Sequence, residues 1–107
     1  MKNIFIACDT SNLKEVKRII KLSQVKLDGF KIGYKFGLEL FYSKNGRKFI
    51  EKLKVKNLWL DIKTFDIPNT SFAAIRSLRD LRNISYITVH MSGGLEMLKA
   101  VKKASKK

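Results

Sequence analysis

Hydrophobic positions along this chain follow two spacings in turn, one typical of strands and one typical of helices. Alternating or continuous apolar segments predict four strands, at residues 3–9, 29–33, 57–63 and 85–90. Apolar stripes at three- and four-residue spacing predict four helices, at residues 11–23, 35–53, 68–81 and 93–104. This βαβαβαβα order, without a linker between units, indicates an α/β fold with a parallel sheet and right-handed crossovers.

The two faces of each predicted strand differ in polarity, because successive side chains of a strand point to opposite sides. One face is aliphatic and would pack under the helices. The other face ends in polar or ionisable residues: Asp9, Lys31, Asp61 with Lys63, and His90. Functional residues at the C-terminal ends of parallel strands are typical of a TIM-type barrel. A doubly wound open sheet is the competing fold, but no glycine-rich nucleotide-binding motif follows any strand.

The length of the chain limits how much of such a barrel it can form. The sequence has 107 residues, whereas a whole TIM-type barrel takes roughly 250. We therefore predict one unit over residues 1–107, about half a barrel made of four parallel βα units. Strands one and four would then be exposed sheet edges, which favours association of two copies into a homodimer.

The chain is strongly basic, with a formal net charge of +14. A net positive charge of this size is typical of proteins that bind nucleic acids. The basic residues are spread along the chain, however, which indicates a solvated lysine-rich surface and disfavours a nucleic-acid partner. No apolar run approaches the roughly 20 residues of a membrane span, no signal peptide is visible, and the single cysteine, Cys8, excludes an internal disulfide. These features predict a cytoplasmic protein without membrane contact.

The charged residues of the third strand are the candidate catalytic residues. Asp61 and Lys63 are two positions apart and share a face, roughly 6.6 Å apart along the strand. Asp66 follows in the loop, and Lys31 of the neighbouring strand is expected to reach the same space. Alternating acids and amines stay ionised because each charge has an opposite partner, and a lysine so held can donate a proton. A salt-bridged strand end without a catalytic role is the alternative, and the spacing does not decide between them.

The segment "DIKTFDIPNT", residues 61–70, resembles the signature of the orotidine 5'-phosphate decarboxylase family, which is Asp-x-Lys-x-x-Asp followed by Ile-Pro-Asn-Thr. The segments "IACD", "FKIG" and "TVHMSGG" resemble the first, second and fourth strands of that family, in the same order. Asp-x-Lys-x-x-Asp alone is shared with decarboxylases and aldolases of sugar phosphates. A metal-dependent lyase of that superfamily is therefore one alternative, and a basic, non-catalytic binding module is another.

The resemblance implies decarboxylation of orotidine 5'-monophosphate to uridine 5'-monophosphate, a step of pyrimidine biosynthesis, without a metal or an organic cofactor. Lys63 would donate a proton to C6 of the pyrimidine, and Asp61 would lie near the departing carboxylate. Lys31 would bridge the ribose hydroxyls and the acidic residues. Asp9 would bind the ribose or orient Lys31.

The resemblance also assigns residues around the next loop and the fourth strand. Asp66, with Ile67 and Thr70, would reach into the site of the neighbouring subunit of a homodimer. His90 would lie at the substrate or close a hydrogen-bond network, and Trp59 would be interior packing. The phosphate-binding residues of the family follow strands seven and eight. This chain therefore resembles the N-terminal, catalytic half without the phosphate-binding half.

Overall fold

Four parallel strands form one sheet in the order β1-β2-β3-β4, so each strand lies beside its predecessor. The computed structural model describes residues 1–106, and Lys107, the last residue of the predicted unit, lies outside them. The strands are β1 (Lys2–Cys8), β2 (Phe30–Gly37), β3 (Leu58–Thr64) and β4 (Ile84–Val89). The consecutive strand order confirms the predicted α/β fold, an open sheet consistent with half of a TIM-type barrel.

Helices follow the strands on one side of the sheet. They are α1 (Leu13–Ser23), α2 (Leu38–Phe41), α3 (Gly46–Lys52), α4 (Pro68–Arg76) and α5 (Leu95–Ser105). The side chain of Asn12 caps α1 by accepting a hydrogen bond from the backbone N–H of Glu15 at 3.2 Å. Pro68 occupies the first turn of α4, where no helical partner for an N–H is needed. Within residues 1–106, no helix is long and apolar enough to cross a membrane.

The second strand is longer than the sequence pattern predicts. The predicted strand ends at Gly33, whereas β2 continues to Gly37. Tyr34 and Phe36 lie beside β3 in the sheet register and are buried in the core. Residues 34–37 also fit the start of a helix, but pairing with β3 keeps them in the strand conformation. This difference changes which side chains reach the C-terminal end of the sheet.

One hydrophobic core lies between the sheet and its helices. Strand residues Cys8, Phe36 and Leu60 are fully buried in it. The helices contribute one apolar face each, through Val16, Ile20, Leu40, Ile50, Ile75, Met97 and Val101. Burial raises the pKa of the Cys8 thiol to about 11, with the neighbouring Asp9 carboxylate adding to the rise. The thiol is therefore protonated at neutral pH and belongs to the packing rather than to the chemistry.

An aromatic layer covers the opposite, inner face of the sheet. The ring of Phe5 meets the rings of Trp59 and Tyr86 edge-on, each at a centroid distance of 5.4 Å. Gly33 faces this layer from β2. A Cβ at this position would lie 2.7 Å from the Phe5 ring and 2.2 Å from the carbonyl oxygen of Asn57. Glycine is therefore required here for the layer to approach the sheet.

Replacing Gly33 by alanine should lower the free energy of unfolding by about 1–3 kcal/mol, because the added methyl group meets a backbone oxygen that cannot turn aside. Gly37 is the matched control on the same strand and face, since the nearest atom to a Cβ there is 3.9 Å away. Gly37→Ala should change stability by less than about 0.5 kcal/mol. Urea denaturation followed by circular dichroism measures both variants. Equal losses would contradict the packing argument.

Candidate active site

The carboxylate of Asp61 lies between two lysine ammonium groups on the inner face of the sheet. Its Oδ2 atom is 3.0 Å from Nζ of Lys63 and 3.4 Å from Nζ of Lys35. The Asp61 side chain is 13% exposed and that of Lys35 is 24% exposed, whereas that of Lys63 is 53% exposed. One amine of this cluster is therefore accessible to a bound molecule, while the acid and the other amine are sheltered behind it.

Lys63 owes its position to an irregularity near the C-terminal end of β3. Its φ of +47° is a left-handed backbone conformation that lysine rarely adopts. The register between β3 and β4 shifts between Leu60 and Thr64, as it does at a β-bulge. Bulges re-aim side chains beside active sites, and strained backbone concentrates at functional positions. The distortion falls on the amine that the sequence marks as the proton donor.

The charge state of Asp61 follows from its surroundings. Burial raises the pKa of the Asp61 carboxyl, but hydrogen bonds from Lys63, Thr88 and Lys35 outweigh burial and hold the pKa below its ordinary value. Asp61 is therefore ionised at neutral pH, and one negative charge faces two positive charges. The cluster has a net positive charge, which suits an anionic ligand. No group of three or more acidic, histidine or cysteine side chains within residues 1–106 is arranged to hold a metal ion.

Lys35, rather than Lys31, is the lysine of β2 in this cluster. The register of β1 with β2 pairs Asn3 with Lys31 and Ala7 with Lys35, so Lys31 lies toward the N-terminal end of the sheet. Four strand residues separate the two lysines by roughly 13 Å. The prediction that Lys31 reaches Asp61 is therefore wrong, because β2 continues four residues beyond its predicted end at Gly33 to Gly37.

The sequence contains a signal that could have identified Lys35. Residues 30–37 read "FKIGYKFG", in which an aromatic-Lys-x-Gly pattern occurs twice. Both copies fit the strand motif of the family. The second copy is followed directly by "LELF", which forms α2, and site residues of such folds lie where a strand ends. The position of the next helix therefore favours the second copy.

Asp9 and His90 lie at the same end of the sheet, each directly after its strand. The Oδ1 atom of Asp9 is 3.9 Å from the position that a Cβ on Gly37 would take. The backbone N–H of His90 donates to the carbonyl oxygen of Thr64 at 2.9 Å, and its ring lies 5.1 Å from the ring of Phe65. Both residues are exposed, so both are accessible to a ligand at this edge.

Asp66, Ile67 and Thr70 lie in the loop after β3 and in the first turn of α4. All three are exposed, and Ile67 is 65% exposed. The Asp66 carboxylate accepts a hydrogen bond from the backbone N–H of Ile67 at 2.7 Å. Among the described residues, the ion pairs of Asp61 come from Lys35 and Lys63 and none comes from this loop.

Trp59, which the sequence predicts to be interior packing, contacts both the cluster and Thr88. The indole N–H of Trp59 donates to the hydroxyl of Thr88 at 2.7 Å. The ammonium of Lys35 lies 5.5 Å from the centre of the Trp59 ring. The side chains of Trp59 and Thr88 follow the same inward alternation as Asp61, and no local sequence signal separates such a contact from simple packing.

The sequence of this chain matches one protein family over nearly its whole length. The family described as "Orotidine 5'-phosphate decarboxylase / HUMPS family" matches residues 2–107. The orotidine 5'-phosphate decarboxylase of Oenococcus oeni is 41% identical over 102 residues, which cover 92% of this chain and 42% of that protein. The proteins of the same name from Bacillus cytotoxicus and Listeria monocytogenes are 39% and 38% identical, and 40% and 42% of their lengths are covered.

The matches extend over nearly the whole chain but only part of each relative. This chain spans about two fifths of the length of the curated relatives described above. The family match includes every strand of the sheet and the Asp61 cluster. The chain therefore belongs to the orotidine 5'-phosphate decarboxylase / HUMPS family.

Proposed function

We propose that this chain provides the catalytic half of a site that decarboxylates orotidine 5'-monophosphate to uridine 5'-monophosphate, in cytoplasmic pyrimidine biosynthesis. The observation that carries the proposal is the cluster of Lys35, Asp61 and Lys63 at the C-terminal end of a parallel sheet. Family membership, and relatives whose names state this activity, support the proposal. The reaction would use side chains of the protein without an organic cofactor.

Lys63 is the proton donor in this proposal. The bond between C6 of the pyrimidine and its carboxylate breaks, carbon dioxide leaves, and the electron pair that remains on C6 takes a proton from the ammonium. The exposure of Lys63 makes it the accessible amine, and its Nζ atom lies 3.0 Å from the Asp61 carboxylate. An ammonium placed in advance beside a developing carbanion stabilises the transition state more than the substrate.

The other parts of the nucleoside would be bound by Asp61, Lys35 and the residues that follow β1 and β4. Asp61 would lie near the departing carboxylate, where its negative charge disfavours the substrate relative to the transition state. Lys35 would take the role expected of a lysine on the second strand and bridge the ribose hydroxyls to Asp61. Asp9 would bind the ribose from β1. His90 would lie beside the substrate or order its contacts from β4.

The phosphate of the nucleotide would be bound by the other half of the barrel. The chain covers 42% of the Oenococcus oeni relative, and the family resemblance assigns the phosphate to later strands. The open side of the sheet supports this arrangement. A groove of about 570 Å³ lies along β4 between α4 and α5, and its lining includes the apolar side chains of Leu78, Leu81 and Val101. The next βα unit of a barrel would pack there.

Reconstitution with that half tests the assigned roles. We expect co-expression with the remaining segment of the Oenococcus oeni relative to produce decarboxylation of orotidine 5'-monophosphate, measured by the change in substrate absorbance. Lys63→Ala should lower kcat by about 100-fold or more, which is the usual contribution of a general acid. Lys35→Ala should lower kcat/KM, because it removes the ammonium that holds Asp61 and the ribose.

Lys31→Ala is the matched control for Lys35→Ala, because it removes the same side chain from the same face of β2 at the other end of the sheet. It should leave kcat/KM unchanged. An equal loss in both variants would contradict the role of Lys35. Turnover that disappears when EDTA is added would contradict the proposed reaction and indicate a metal-dependent lyase of sugar phosphates.

We propose further that the chain forms a homodimer through the loop around Asp66. Phe65 is 56% exposed and Ile67 is 65% exposed, so this loop presents two large apolar side chains to solvent. Adjacent exposed apolar residues commonly mark an interface. In such a dimer Asp66, Ile67 and Thr70 of one subunit would reach the site of the other, as the family resemblance implies.

Light scattering at low micromolar concentration tests the dimer. The unmodified chain should have the mass of a dimer, and Ile67→Glu should shift it to a monomer because a charge cannot be buried in an apolar interface. Leu22→Glu is the matched control, since Leu22 is 66% exposed on α1. A monomeric unmodified chain, or dissociation by Leu22→Glu alone, would count against this interface.

A further inference from the structure

Trp59 contacts both of the sheltered groups that flank the Asp61 carboxylate. Its indole N–H donates a hydrogen bond to Oγ1 of Thr88 at 2.7 Å. The ammonium of Lys35 lies over its ring, 5.5 Å from the centroid, which is within the range of cation–π attraction. The same ammonium lies 3.4 Å from Oδ2 of Asp61. Trp59 therefore contacts the Thr88 hydroxyl and also the ammonium that pairs with the Asp61 carboxylate.

The contact with Trp59 gives the Thr88 hydroxyl a direction. A threonine hydroxyl has one hydrogen to donate and accepts through its lone pairs. The indole N–H occupies one acceptor position of the hydroxyl and leaves its hydrogen available to donate, and the Thr88 hydrogen bond that lowers the pKa of Asp61 indicates Asp61 as the acceptor. Burial raises the pKa of the Asp61 carboxyl, while its hydrogen bonds, including the one with Thr88, lower it.

The indole itself is held in one orientation. The ring of Phe5 packs edge-on against it at 5.4 Å with an interplanar angle of 77°. Phe5 is held in turn by Tyr86 at 5.4 Å and by the close approach to Gly33. Rotation of the indole would break its hydrogen bond to Thr88 and separate its face from the Lys35 ammonium. The aromatic layer therefore fixes the position of the polar groups above it.

We propose that Trp59 is a positioning residue that fixes two of the three donors on the Asp61 carboxylate, the Lys35 ammonium through its ring and the Thr88 hydroxyl through its N–H. These two donors stabilise the ionised form of Asp61 while the third, Lys63, gives up its proton. That catalytic consequence rests on the proposed function, whereas the positioning does not. The other titratable groups that follow the strands at this end of the sheet are all exposed: Asp9 after β1, Glu39 after β2, Asp66 after β3 and His90 after β4.

The pKa of Asp61 measures this positioning without any substrate. It is followed by carbon-13 NMR of the side-chain carboxyl during a pH titration of the full chain. Thr88→Val removes the hydroxyl and should raise this pKa by about one unit, which corresponds to a lost hydrogen bond to a charged group. Thr88→Ser keeps a hydroxyl and should restore the value. Trp59→Phe removes the N–H, keeps a weaker ring face, and should also raise the pKa.

The double variant separates positioning from general packing. If Trp59 acts through Thr88, the rise caused by Trp59→Phe should be smaller in the Thr88→Val background than in the unmodified chain. Tyr86→Phe is the matched control, because it removes a hydroxyl from the same aromatic layer and leaves its ring in place. It should leave the pKa of Asp61 unchanged.

The proposal is overturned by an unchanged Asp61 pKa in Trp59→Phe, by equal rises in both backgrounds, or by the same rise in Tyr86→Phe. If Trp59→Phe does not fold, Thr88→Val decides the question, since a pKa equal to that of Thr88→Ser would overturn the proposal. Raised pKa values combined with undiminished reconstituted activity at neutral pH would support the positioning, because a carboxyl whose pKa rises by about one unit from below its ordinary value stays ionised there.

Discussion

The ion pairs of Asp61 with Lys35 and Lys63 are the interaction on which the inner face of this sheet depends. A lone charge in so sheltered a position would be costly, because the protein interior solvates ions far less well than water. Two ammonium groups on one carboxylate offset that cost and leave a net positive charge for a ligand. The arrangement requires β2 to extend far enough to place Lys35 beside Asp61. It also requires the irregular backbone of β3 that turns the Lys63 side chain toward Asp61.

The layer of Phe5, Trp59 and Tyr86 gives this cluster a rigid base. The rings pack edge-on against one another on the inner face beneath the charges, and Gly33 provides the space that allows them to approach the sheet. The ion pair of Asp61 and Lys35 is itself sheltered from water, which strengthens their attraction because fewer water molecules screen it. The aromatic layer therefore supports the charged cluster directly. Trp59 makes the contacts between them, through its indole N–H to Thr88 and its ring to Lys35.

Much of the fold could be predicted because its signals are local. The alternation of two hydrophobic periods placed four strands and their helices in the right order, and the aliphatic face of each strand proved to be the face that packs against the helices. The spacing of Asp61 and Lys63 placed both on the inner face. The end of β2 was harder to predict, because "FKIGYKFG" offers two similar lysine motifs and the residues after the first also fit a helix, so that only the position of the following "LELF" helix favours the second.

The sequence by itself determined the α/β alternation, the family signature "DIKTFDIPNT" and the end of the sheet at which the ionisable residues gather, since each depends on neighbours within a few positions. Only the tertiary structure decided that Lys35 and not Lys31 meets Asp61, that Lys63 lies on a left-handed bulge, and that Trp59 and Thr88 support the cluster. These facts depend on register between strands that are distant in the chain. A shift of one β2–β3 pairing would leave every local pattern intact and still separate the charges.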